Sequence, residues 1–131
     1  MRLNWLRRNV LWMDGSAGVL VGIVILVAGG WLAEWFELPR GFLRFTGAVN
    51  LLYGVYSLTL ASRDRRPRAL VTTLVAANAT WAVLCVVYVV YFRDSASPWG
   101  LAHFSAEGLF VAGLAVLEWR WRDALSTNGP L

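Results

Sequence analysis

Lysine is missing from this chain of 131 residues, cysteine and histidine occur once each, and charged residues make up only 15%. Each scarcity removes a class of protein. With Cys85 alone, no disulfide forms within one chain and no cysteine metal cluster can be assembled, so the thiol reads as packing. With His103 alone, a metal centre of three or four matched ligands is not available, and a haem would need a partner subunit or an open coordination position. The cofactor is left unknown. No Ser-His-Asp set, phosphate-cradling glycine loop or His-Glu-x-x-His motif is present. The net charge of +4 would suggest nucleic acid in a soluble chain, but all 12 positive residues are arginines gathered between apolar runs. They are topology determinants, and nucleic acid is excluded as a partner.

What the chain has in quantity is apolar length: 58% of its residues are hydrophobic and eight are tryptophan. A bilayer core of about 30 Å takes roughly 20 residues of helix, because lipid offers no partner to a peptide group and the helix supplies its own. Residues 15–33, 45–62 and 69–92 carry no charge, and residues 98–117 are interrupted only by His103 and Glu107. The expectation is an all-α membrane protein in one domain over residues 1–125. Its four transmembrane helices lie at about 11–34, 42–62, 69–92 and 98–119, followed by a loose polar tail over 126–131. The first run is too long for a signal peptide, and Asp14 interrupts the place where such a peptide would be apolar, so an uncleaved helix is expected.

The loops are short, and Pro39, Pro67 and Pro98 mark helix boundaries, which forces antiparallel neighbours and an up-down-up-down bundle. Alternating spans put nine arginines (Arg2, Arg7, Arg8, Arg63, Arg65, Arg66, Arg68, Arg120 and Arg122) on one side and Arg40, Arg44 and Arg93 on the other. Positive-inside counting then places both termini in the cytoplasm of a bacterial-type cell, in its cytoplasmic membrane. Seven tryptophans fall near span ends, at the headgroup level, while Trp81 lies mid-span and must find a partner for its N–H. Gly18 and Gly22 form a close-approach step on the face of Asp14, which fits packing within the bundle or a homodimer seam.

Polar groups at membrane depth carry the functional signal, since they are costly there and face the interior. Asn50, Tyr53 and Ser57 share one face of the second span, Asn78, Trp81 and Cys85 one face of the third, and His103 and Glu107 one face of the fourth. Counted along the helices, Asn50, Asn78 and Glu107 fall near one level, with Asp14 nearer the cytoplasmic end. The candidate ligand-binding set is therefore Glu107, His103, Asn50, Asn78, Tyr53, Trp81, Ser57 and Asp14, with no metal and no catalytic residue assigned. Three functions compete: a cavity that binds, and translocates, a small amphipathic ligand or a proton; an accessory subunit or assembly factor of a larger membrane complex, using these groups as interhelical glue; and an isomerase-type acid/base enzyme built on Glu107 and His103. An enzyme is the least favoured. A homodimer is expected if anything is moved, because four spans are few to enclose a pathway.

Two resemblances are partial. The size and the membrane Glu107 are similar to small multidrug resistance transporters, although those carry the carboxylate in the first span. Asn78-Ala79-Thr80-Trp81 and the tryptophan content resemble tryptophan-rich sensory proteins, which have five spans and proline-bearing motifs that this chain lacks.

Overall fold

The computed structural model describes residues 2–126, and the expected loose tail lies outside them except for Ser126. The described chain is entirely helical: α1 (Arg2–Phe36), α2 (Arg40–Ala61), α3 (Arg68–Phe92), α4 (Pro98–Arg120) and a single turn, α5 (Arg122–Leu125). Three of these, α1, α3 and α4, are long and apolar enough to cross a membrane. The sequence reading expects four such helices. Although α2 has 22 residues, its apolar character is diluted by Arg40, Arg44, Thr46, Asn50, Tyr53, Ser57 and Thr59. Much of that polarity points inward: Thr46, Asn50 and Ser57 are buried, while Phe45, Leu52 and Val55 are exposed. The fifth helix is absent from the sequence reading. It folds back so that Leu125 joins Val10, Leu11, Leu60, Val71 and Leu114 at the end of the bundle.

The helix ends follow local chemistry. At the end of α1 the chain closes with the Leu38 N–H on the Ala33 carbonyl (3.0 Å) and the Glu37 N–H on the Glu34 carbonyl (3.3 Å). Glu37 sits in the left-handed region at φ 53°, and Pro39 follows, so the helix cannot continue. At the start of α4, Ser97 accepts from the Gly100 N–H (3.2 Å) with Pro98 in the first turn. The Ser97 hydroxyl also donates to the Trp35 carbonyl (2.8 Å) and its N–H to the Phe36 carbonyl (2.9 Å), tying this end of α4 to the end of α1.

Packing is uneven. The pairs α1/α2 and α3/α4 are intimate antiparallel hairpins, α1 and α4 join them, and α2 barely touches α3. The α1/α2 seam is lined by glycines because the backbones themselves meet. A Cβ on Gly18 would stand 2.9 Å from the Asn50 carbonyl oxygen, one on Gly22 2.7 Å from the Leu51 nitrogen, and one on Gly54 would strike the Val19 nitrogen. The glycine step thus packs inside one chain. Two apolar clusters cap the bundle's interior: Leu32, Phe36, Leu43 and Phe104 at the end where α1 meets α2, and Val10, Leu11, Leu60, Val71 and Leu125 at the end of the chain termini. The buried polar residues Asp14, Asn50, Asn78 and Glu118 occupy the band between them.

The surface inverts the pattern of a water-soluble domain. Leu20, Val24 and Val27 of α1, Val83, Val86 and Val90 of α3, and Leu109 and Val116 of α4 face outward. Aliphatic side chains outside and carboxylates inside form a bundle suited to a lipid environment.

Candidate functional site

A cavity of about 290 Å³ lies in the middle of the bundle, with walls from all four long helices: Asp14, Ala17, Gly18 and Val21 of α1, Asn50 and Tyr53 of α2, Asn78 and Trp81 of α3, and His103, Ala106, Glu107, Phe110 and Val111 of α4. It is about the volume of ten waters, at the small end of ligand pockets. The exposed Ala106 and Phe110 and the half-buried Ala17 place its mouth between α1 and α4, toward the surrounding medium. Seven of the eight residues singled out from sequence line it. Ser57 does not: it is fully buried, and its hydroxyl has no hydrogen-bond partner among the described residues.

The polar residues do not form the single layer that counting along the helices predicts. They divide into two centres. The first, nearer the α1–α2 turn, is built on one turn of α4. His103 Nε2 stands 3.3 Å from Glu107 Oε2 at i, i+4, a close polar contact rather than an aligned hydrogen bond, since neither atom has a partner of good geometry. Glu107 Oε1 accepts from the Trp81 indole N–H at 3.2 Å, which provides the partner that a mid-span tryptophan requires. Phe36 stacks on the His103 ring at 5.2 Å, while Tyr53 meets the Trp81 ring edge-on at 6.1 Å. The Glu107 side chain is 8% exposed and that of His103 20%.

The second centre joins two residues of the candidate set, Asp14 and Asn78, to one that the sequence reading misses, Glu118. The Asn78 side-chain amide donates to Asp14 Oδ2 at 2.9 Å and to Glu118 Oε1 at 2.7 Å, joining α1, α3 and α4. Glu118 is completely buried, Asn78 is 1% exposed and Asp14 5%. Helix direction brings them together. Side chains lean toward the N-terminus of their own helix, so Glu118 on α4 leans back into the bundle while Asn78 on the antiparallel α3 leans toward it. Glu118 adjoins Trp119 and Arg120 at the end of an apolar run, where a carboxylate is expected to meet water. Yet a signal is present. Glu118 follows Glu107 by 11 residues, three turns at 3.6 residues each, and so falls on the same face about 16 Å further along.

Asn50, expected beside Asn78 and Glu107, donates instead to the Thr46 carbonyl of its own helix at 2.9 Å and presents the rest of its amide to the cavity wall. Cys85 packs against Gly108 outside the cavity. Among the described residues no group of three or more His, Cys, Asp or Glu side chains could hold a metal ion.

No family model, curated protein or solved structure matches this chain.

Proposed function

We propose that the chain is a four-span protein of a bacterial-type cytoplasmic membrane, with both termini inside, whose cavity binds a small amphipathic ligand. Counting α2 as the fourth span rests on its buried polar face and exposed apolar face, since a helix need only be apolar where lipid touches it. The orientation rests on the nine-to-three arginine asymmetry. The observation that carries the ligand is Glu107: a carboxylate in the wall of a cavity, with one oxygen held by Trp81 and the other facing only His103.

The lining also favours one class of ligand. It holds two carboxylates, Asp14 and Glu107, together with Tyr53, Trp81 and Phe110, and no arginine. Such a wall repels anions and suits a small neutral or cationic molecule with an apolar body. Translocation would require a second copy or a change of shape, because the mouth lies on one flank. The competing reading, a subunit that uses its polar groups only as glue, draws support from the Asp14–Asn78–Glu118 network, which does join three helices.

Native mass spectrometry of the detergent-purified protein beside Glu107→Gln separates these readings. A small molecule carried by the wild type and lost in the variant is the expected result. Ligand-free masses in both, with both folded, would overturn the cavity reading in favour of the subunit.

A further inference from the structure

We propose that Asp14 and Glu118 form a second, separate site that binds one proton, held between the two carboxyl groups and anchored by Asn78. Both groups reach one amide nitrogen, and that nitrogen has two hydrogens, one for each. The amide orientation follows from its two acceptors. Accepting from one nitrogen at 2.9 and 2.7 Å brings the two carboxyl groups side by side in the buried interior. Two ionised carboxylates so placed repel, and one proton removes a charge and supplies a donor that neither group has when ionised. Glu118 Oε2 is the place for it: the residue is fully buried, and this oxygen has no hydrogen-bond partner among the described residues.

Among the described residues, no salt bridge balances two negative charges here. From α1 the ionisable group at the site is Asp14. The α2 helix contributes the Tyr53 phenol at the cavity wall, while the Tyr56 hydroxyl is committed to the Leu70 carbonyl at 2.8 Å. The α3 helix gives uncharged Asn78, and His103 and Glu107 of α4 belong to the other centre, three turns or more away. Among the described residues, neither Asp14 nor Glu118 makes a salt bridge; the nearby Arg68 pairs with Asp123 at 2.8 Å. A metal cation is the poorer occupant, because Asn78 presents a donor and not an oxygen to the pair, and two carboxylates leave a cation short of ligands. Asp14 and Asn78 also line the cavity, whereas Glu118, which carries the proton, does not.

Infrared spectroscopy of the full-length protein in lipid vesicles at neutral pH, in H₂O and in D₂O, tests the site without any ligand. The wild type is expected to show one protonated-carboxyl C=O band that shifts on deuteration. Glu118→Gln should abolish it, Asp14→Asn should shift its frequency because the group beside the proton changes, and Glu107→Gln should leave it in place. A wild type without such a band overturns the proposal whatever the variants do. So does a band lost in Glu107→Gln but kept in the other two, which would assign the proton to the cavity centre, or a band removed by sodium chloride but not by choline chloride of equal strength, which would assign a cation. The cavity reading is tested by ligand mass, so each can fail without the other.

Discussion

The two acidic centres share α4 and the same face of that helix, yet they are built in opposite ways. Glu118 takes its partner from α3 and, through Asn78, reaches α1, so its geometry depends on three helices standing in place. Glu107 meets His103 on its own helix and only Trp81 from another, and it opens onto a cavity. Burial does not separate them, since both carboxylates are more than nine-tenths buried. The origin of the partners does. A group satisfied across helices resists their separation, whereas a group satisfied along its own helix can change partner without moving the bundle.

Removing the shared donor should break the contrast most strongly. Asn78→Leu leaves two buried carboxyl groups without their amide, and it should lower stability in detergent by about 2–4 kcal/mol, read by denaturant titration. A loss below about 0.5 kcal/mol would show that the three helices do not depend on this network. The hairpin seam provides a control outside both centres: Gly54→Val forces a side chain against Val19 and should cost about 1–3 kcal/mol while leaving the carboxyl infrared band unchanged. A smaller effect is expected at the open centre, where Trp81→Phe keeps the ring but removes the N–H donated to Glu107, at about 0.5–1.5 kcal/mol. Smallest of all should be Glu107→Gln, below about 1 kcal/mol in stability, together with the loss of any copurifying ligand. A double-mutant cycle sharpens the comparison further. Asp14→Asn and Glu118→Gln should couple by about 1 kcal/mol or more, while Glu107→Gln combined with Glu118→Gln should be additive within about 0.5 kcal/mol.

Much of this is legible in the residues, and the part that is not has a physical reason. Spacing along a helix puts His103 one turn from Glu107 and marks Trp81 as the mid-span tryptophan in need of a partner. Distance along an axis is a poorer guide across helices. Asn50, Asn78 and Glu107 lie near one level by counting, but Asn50 bonds its own backbone and Asn78 leans away toward Glu118. Side-chain length and the direction in which it leans shift a polar atom by several ångströms, which is more than the reach of a hydrogen bond. Glu118 is hidden by composition: beside Trp119 and Arg120 it reads as the end of a span, yet it is completely buried.

The sequence by itself determined the four long helices, their short connections and the hydrophobic exterior, because these depend on local backbone geometry and on apolar length. It also determined which residues are too polar to face lipid. Only the tertiary structure decided how those residues pair, that the glycines of α1 close onto α2, and that the polar band divides between the Glu107 centre and the carboxyl pair of Asp14 and Glu118. Pairing depends on the relative rotation and height of helices far apart in the chain, and no local spacing encodes that.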